Sequence, residues 1–418
     1  MSALDAFGKL RTSNPFTLFS YYPNINTGTV SSNLDQDVWY SETNGSGAQT
    51  YNNDNYINMA VSNVDDYVLR LSKVPMDYQP GKSRLCMFTG VPLIGTVSGD
   101  TLTSRIGIFN INSATPPAIT DGVFFQTDGA NLQWVESIES TSTVTTVNQA
   151  SWNIDVFDGS GPSGKTLTSA NISQNMLIVI DQEWLGGGRI RCGFYINGVL
   201  YYAHQFLNEG LNVQYSKTPR LRIGYYIHKT AGTTLLSLRQ MCCTNMSEGG
   251  FFPLGVKNSI YTPYTGVTMG TAGTKYVLLV IKLKSTNVNG TIKPLKISSV
   301  YSPSNKGDCG RYELQLHSSI GSIGTTSPIL SGLSYNTSLA GSMVEYYQGT
   351  GSETVTTDGY MVSSGVMSSD SQELFTSSDY ETLLTRTIAT QYDYLVMTGI
   401  GYANNDVIYA TIEWIESA

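Results

Sequence analysis

The two-residue period of its apolar positions constrains this chain most. In "DVIYATIEWIES" (406–417), Ile408, Ala410, Ile412 and Trp414 alternate with Tyr409, Thr411 and Glu413. An extended strand then has one apolar and one polar face. The turn "ANND" (403–406) joins it to "QYDYLVMTGIGY", which reads as a preceding strand. In "KYVLLVIKLKS" (275–285) the same alternation puts Val277, Leu279, Ile281 and Leu283 on one face. No stretch carries a long helical period, and only "SSDYETLLTRT" (377–387) suits a helical turn or two. Short strands between turn clusters predict an all-β fold.

A chain of 418 residues needs more than one core. The Gly/Pro stretch "MSEGGFFPLGV" (246–256) separates two strand-rich halves, and residues 349–372, rich in Ser, Thr and Gly, read as loops and short strands. The expected organisation is therefore an irregular N-terminal arm (1–35, interrupted by Pro15 and Pro23) followed by two antiparallel β-sandwich or jelly-roll domains. The first spans 36–250, with a concanavalin-like form as one option, and the second spans 251–418.

Asn197-Gly198 is a two-residue hairpin turn, because type I′ geometry needs positive φ at both central positions. Folding about it pairs Ile196 with Val199, Phe194 with Tyr201 and Cys192 with Ala203 on an apolar face. On the other face it pairs Tyr195 with Leu200, Gly193 with Tyr202 and Arg191 with His204, which makes His204 a sheet-surface residue.

Charged residues make up 13% of the chain, about half of the ~25% usual in soluble proteins, and Gly (41) and Tyr (27) are abundant. Such a polar, uncharged surface suits extracellular β structure or packed assemblies. The net charge of −8 and the lack of a Lys/Arg cluster argue against nucleic acid as a partner. The N-terminus lacks the apolar core of a signal peptide, and the run "YVLLVI" (276–281) is too short to span a bilayer. The expectation is a soluble chain made in a cytoplasm, with no membrane insertion. Five cysteines and three histidines show no disulfide framework or metal-ligand spacing, so no metal and no cofactor is expected.

Two motifs suggest chemistry. "GSGPSGKT" (159–166) matches the phosphate-binding P-loop, and "MLIVID" after it ends in Asp181 as a magnesium-binding strand would. The segment between them, "LTSANISQN" (167–175), has no apolar stripe and is shorter than the dozen or more residues of a parallel crossover. A turn between antiparallel strands explains the same letters. Asp181 and Glu183 in "VIDQE" have the alternate spacing of paired glycosidase carboxylates, but adjacent on one strand they sit too close to flank a scissile bond. Trp39, Trp134, Trp152 and Trp184 lie beside acids, amides or Gly-rich turns, as in sugar-binding platforms; Trp39, Trp134 and Trp184 are the candidate glycan contacts. Core packing is the competing fate of every such tryptophan.

Several stretches, taken in order, resemble a family of virion structural proteins from tailed phages and large DNA viruses. They are "DAFGKLRTSNPFTLF" (5–19), "YQPGKSRLCMFTG" (78–90), "WNIDVFDGSGPSG" (152–164), "IDQEWLGGGRIRCGFYINGVLYYAHQF" (180–206) and the closing "DVIYATIEWIES" (406–417). Residues 255–390 carry none of it. The resemblance implies a particle component with no catalytic residues, located in the virion, in which the P-loop-like and "DQEWLGGG" stretches are scaffold. The expected partners are other virion proteins and further copies of the chain. Asp5, Phe7, Leu10, Arg11, Phe16, Leu18 and Phe19 are the candidate assembly contacts, since arms of this kind bury aromatic anchors in a neighbour. Strands apolar on both faces, with Tyr394, Val396 and Ile400 against Leu395 and Met397, suggest a homo-oligomer, a trimer first. The alternatives are a host-surface glycan adhesin and, more remotely, a glycoside hydrolase using Asp181 and Glu183.

Overall fold

The computed structural model describes residues 15–23, 38–52, 54–76, 78–97, 99–248, 255–288, 290–304, 309–318, 330, 332–369, 372–376, 384–388 and 391–417. It is an all-β protein that divides into two compact units, Met1–Phe252 and Pro253–Ala418. No helix among the described residues is long and apolar enough to cross a membrane.

The first unit begins with β1 (Pro15–Tyr21), β2 (Trp39–Asn44), β3 (Ala48–Asn52), β4 (Tyr56–Val61) and β5 (Tyr67–Ser72). It continues through β6 (Arg84–Ile94), β7 (Thr101–Ile111), β8 (Ile119–Thr127), β9 (Leu132–Ile138) and β10 (Thr143–Asn148). It ends with β11 (Met176–Gln182), β12 (Ile190–Ile196), β13 (Val199–Phe206), β14 (Arg222–Ala231) and β15 (Leu236–Glu248). Two antiparallel sheets result. One has eight strands in the order β13-β12-β11-β6-β15-β4-β3, with β1 also on β15; the other has seven, β10-β9-β8-β7-β14-β5-β2. Their facing sides share one core that contains Trp39, Trp134 and Trp152, with Phe125 and Phe194 against Trp134 at 5.5 and 5.4 Å.

The 1–35 segment is not irregular where it is described. Pro15–Tyr21 is a strand, bulged between Thr17 and Phe19, and pairs with β15. Phe19 and Tyr21 pack edge-on against Trp39 at 6.2 and 5.1 Å, so these aromatics anchor in their own sandwich. Leu18 is half-buried, Phe16 lies in the strand, and Asp5, Phe7, Leu10 and Arg11 fall outside the described residues.

The hairpin at Asn197-Gly198 keeps the expected register as far as Gly193 opposite Tyr202, and there departs from it. A bulge leaves Ala203 without an opposite residue, so Cys192 faces His204 and Arg191 faces Gln205. The reason lies outside the hairpin: the Ala203 carbonyl accepts the amides of Ile154 and Asp155 at 3.1 and 3.0 Å. His204 is buried rather than on the surface, its Nδ1 accepts the Asn153 amide at 3.3 Å, and burial lowers its pKa to about 4.

In the second unit, β16 (Val256–Tyr261), β17 (Val267–Met269), β18 (Lys275–Leu283) and β19 (Thr291–Ser302) come first. After them come β20 (Gly310–Ser318), β21 (Val344–Gln348), β22 (Tyr360–Met367) and β23 (Gln372–Thr376). The last are β24 (Leu384–Ile388), β25 (Gln391–Ile400) and β26 (Asp406–Ser417). Strands β16, β17, β26, β19 and β23 form one layer, β18, β21, β25, β20 and β22 the other, and β24 pairs with both β19 and β25. The helical turn expected within 377–387 is thus a strand where described, as β-branched "LTRTI" favours. The alternation in β26 holds: Ile408, Ala410, Ile412 and Trp414 enter the core. In β18 a bulge between Val277 and Leu279 turns Leu278 and Leu279 both inward, and Val277 joins Val280 on the opposite face.

That opposite face is itself packed within the chain. Val277, Val280, Tyr394 and Val396 cluster with Leu330 and Val355, with Leu333 and Tyr335 packed against them. The apolar surplus assigned to a symmetry mate is covered in part by the chain itself, because Leu330, Leu333, Tyr335 and Val355 pack over this face of the sheet. The trimer expectation loses part of its stated reason.

At the centre of the seven-stranded sheet, Gly107 of β7 lies opposite Gly224 of β14. A Cβ on Gly224 would stand 2.3 Å from the Phe109 ring, and one on Gly107 2.4 Å from the Val123 carbonyl oxygen and 2.5 Å from the Phe124 Cα. Gly107→Ala is expected to destabilise the first unit by about 1–3 kcal/mol in urea unfolding, the cost typical of overpacking. Gly224→Ala meets a ring that can shift, and should cost less.

Between β4 and β5, Asp66 accepts the amides of Ser46, Ser62 and Asn63 at 2.9, 2.9 and 2.6 Å and so ties two turns together. Burial pushes this carboxyl up, but the bonds from Asn63, Ser46 and Ser62 outweigh it and hold the pKa at about 2. A depressed carboxylate stabilises the fold above its unfolded value and loses that contribution as pH falls through the folded one. Unfolding followed by pH should therefore show a stability loss between about pH 4 and about pH 2 that Asp66→Asn removes.

Candidate functional site

The site grows from a repeated tripeptide. Arg105-Ile106-Gly107 and Arg222-Ile223-Gly224 lie on adjacent antiparallel strands, centred on the opposed glycines. Arg105 therefore faces Tyr226, and Arg222 faces Phe109. Strand alternation sends Ile106, Ile108, Ile223 and Tyr225 into the core and puts Arg105, Phe109 and Tyr226 on the opposite side of the sheet, where Phe109 and Tyr226 are themselves buried and Arg105 is half-buried. Arg222 is buried and donates to the Ser72 and Lys73 carbonyls, a structural role. Arg105 is half-buried, with its guanidinium between the Tyr226 ring (5.4 Å) and the Phe124 ring (5.8 Å).

From Arg105 a polar row runs in register across the next three strands. Arg105 Nε donates to Gln126 Oε1 at 2.7 Å, Gln126 Nε2 to Gln133 Oε1 at 2.8 Å, and Gln133 Nε2 to Asn148 Oδ1 at 2.8 Å. The four residues are directly opposite one another on β7, β8, β9 and β10. At the strand spacing of about 4.8 Å the row is about 14 Å long. On the other side, Tyr226 is opposite Leu69 and Leu69 opposite Glu42, so one row crosses all seven strands. Tyr40 and Tyr67 donate their hydroxyls to Glu42. His228 stacks on Tyr226 at 6.1 Å; burial first, and then the Arg105 charge, lower its pKa.

Beyond Asn148 opens a cleft of about 700 Å³, lined among others by Asn131, Asn148, Gln149, Asp158 and Thr166, with Leu132 and Leu167 buried beside it. One wall is the β8–β9 turn, fixed by Asp128 accepting the Ala130 and Asn131 amides at 2.9 and 2.7 Å. The other is the P-loop-like stretch.

That stretch is not a phosphate cradle. Asp155 fills the place an anion would take: its carboxylate accepts the amides of Phe157 (2.9 Å) and Ser163 (2.8 Å), and a Cβ on Gly161 would meet it at 2.2 Å. Burial pushes the Asp155 pKa up, but the bonds from Ser163 and Phe157 outweigh it and hold the carboxyl below its ordinary value. Asp158 and Thr166 close the loop as an antiparallel bridge, a short 3-10 turn (Ser169–Ser173) follows in place of a helix, and Lys165 lies over the Tyr201 ring. Asp181 is buried and paired with Arg191, with the Tyr202 hydroxyl on the same oxygen at 2.8 Å. Glu183 is fully buried. Neither carboxylate faces an open groove, which removes the geometric basis for a hydrolase at that pair.

Of the candidate glycan contacts, Trp39 and Trp134 are core residues, as is Trp152. Trp184 is half-buried and packs edge-on against Tyr78 at 5.8 Å, away from the row. The tryptophans meet inside the core and not on an exposed platform. The row of Arg105, Gln126, Gln133 and Asn148 was missed, although "QTDGANLQ" (126–133) folded about the four-residue loop Asp128-Gly129-Ala130-Asn131 sets the two glutamines opposite each other. No group of three or more His, Cys, Asp or Glu among the described residues could hold a metal.

No family model and no curated protein matches this chain. Similar solved structures include a protein of unknown function, SO2946 from Shewanella oneidensis MR-1 (11% identity, TM-score 0.34, covering 60% of this chain and 94% of that one). The Emp46p carbohydrate recognition domain is 8% identical at a TM-score of 0.35 (55% and 98% covered). Arcelin-5, a lectin-like defence protein from Phaseolus vulgaris, is 10% identical at 0.34 (56% and 99%).

The Asp155 loop gives a test of its own. Asp155→Ala strands the buried Phe157 amide and the part-buried Ser163 amide and should cost about 1–3 kcal/mol in unfolding free energy, whereas Lys165→Ala should stay within about 0.5 kcal/mol. A nucleotide site would show the reverse dependence on Lys165, with ATP raising the melting temperature.

Proposed function

We propose that this chain is a non-catalytic virion component whose first sandwich binds host-surface glycan along the polar row and the adjoining cleft. The row and cleft carry the reading. Each glutamine of the row uses one N–H and one carbonyl lone pair internally and keeps a second of each, so the row offers donors and acceptors together. Saccharide hydroxyls need that mixture, and the half-buried His228 ring, stacked on the buried Tyr226, adds an apolar edge beside it. The particle setting is supported by the ordered stretches from residue 5 to residue 206 and by a surface poor in charge.

Binding of the purified chain to a glycan array tests the reading. Gln126→Ala with Gln133→Ala is expected to weaken any saccharide bound by about tenfold or more, the loss of about 1.4 kcal/mol of contacts. Silence across the array, with labelled chain still present on particles, would leave a purely structural role.

A further inference from the structure

We propose that the saccharide held on this face is anionic, and that Arg105 grips its carboxylate or sulfate group. The proposal rests on reading the face as a glycan site and adds the charge of the ligand.

Arg105 differs from Arg191, Arg84 and Arg222 of this unit; Arg239, over the Tyr56 ring at 4.4 Å, also has no carboxylate partner among the described residues, but it lies on the eight-stranded sheet, away from the amide row. Arg191 pairs with Asp181; Arg84 is wrapped by Gln182 and the carbonyls of Met76 and Pro219; Arg222 is held by two carbonyls. The single protein hydrogen bond of Arg105 is made by Nε, to Gln126, and among the described residues it has no carboxylate partner. Its terminal nitrogens, the two that would form a bidentate pair with an oxyanion, are left to solvent or ligand. A guanidinium cannot shed its charge, and a half-buried cation without a counter-ion is costly to keep. The Tyr226 and Phe124 rings compensate part of this and hold the fork in place.

The surrounding charges point the same way. Glu42, the acid on this row, lies at its far end and already takes the Tyr40 and Tyr67 hydroxyls. His228 is held toward its neutral form by burial and by Arg105 itself, so it does not compete for an anion and does not neutralise one. The chain as a whole carries −8, so an acidic polymer is repelled everywhere except where a local cation reaches it. Attachment of such a polymer should then depend on Arg105 out of proportion to one residue.

Matched probes decide the question: polygalacturonate against its methyl ester, and chondroitin sulfate against its desulfated form, each titrated on the full-length chain. The expected result is at least tenfold tighter binding to the charged member of one pair, weakening as ionic strength rises. Which pair responds tells carboxylate from sulfate. Arg105→Gln should abolish the preference, and Arg105→Lys, which keeps the charge but not the fork, should reduce it; the lysine variant decides alone if the glutamine variant fails to fold. Equal binding to both members by the unmodified chain would overturn the proposal while leaving a neutral glycan site in place. An undiminished preference in the variants would overturn it by placing the anion elsewhere. No binding to any saccharide would overturn both this and the function proposed above.

Discussion

Two glycines facing each other at the middle of the seven-stranded sheet make the outer face what it is. With side chains at Gly107 and Gly224, Phe109 could not lie across β14 and Phe124 could not sit against β7. The Phe109 and Phe124 rings meet edge-on at 5.7 Å over this floor. Phe124 is then one of the two rings that hold the Arg105 guanidinium. The chain places small residues where neighbouring backbone and rings must approach closely, and a positioned cation follows from that packing.

Local pairings could be read from sequence, and distant ones could not. The Asn197-Gly198 hairpin, the inward face of β26 and the two-sandwich, all-β plan follow from turn chemistry and two-residue periodicity. Both errors in strand facing come from bulges. Ala203 is displaced by the amides of Ile154 and Asp155, which approach from another part of the chain, and β18 slips by one residue at Leu278. One extra residue inverts every face beyond it, and nothing within either strand announces it. The functional row stayed hidden for a related reason. Gln126 and Gln133 are a local hairpin pair, but Tyr226 meets Arg105 only through the pairing of β14 with β7, more than a hundred residues apart.

The P-loop-like stretch shows how far letters can mislead. Its glycines do expose backbone amides, as the motif requires. What decides their use is Asp155, which lies before the motif and turns its carboxylate into the loop. An internal anion at the centre of such a nest satisfies the same donors a phosphate would, and it does so without an entropic cost of capture. The motif's geometry is served, and its chemistry is already complete within the fold.

Scarcity of charge gives the remaining charges their meaning. With 13% charged residues, the chain carries few ion pairs to spare, and it commits several of its charges to buried structural work. Arg70, Arg84 and Arg222 are buried against amides and carbonyls, and Lys229 is buried on Asp100. Each has a partner because an unpartnered buried charge destabilises a fold far more than a paired one stabilises it. In a highly charged protein a half-buried arginine without a carboxylate would be unremarked, since surface counter-ions are always near. Here no carboxylate is in reach among the described residues, the nearest ring partners are neutral, and the amides beside it run away from it in a single hydrogen-bonded direction toward Asn148. That polarity matters. Each amide in the row turns its oxygen back toward Arg105 and passes its donor outward along the sheet. The row therefore starts at the Arg105 cation and ends, beside the cleft, at Asn148, whose Oδ1 takes the last of these bonds and whose amide N–H groups continue the donor direction. A ligand lying along the row would meet a cation at one end and hydrogen-bonding amides along its length, an arrangement with a direction as well as a charge.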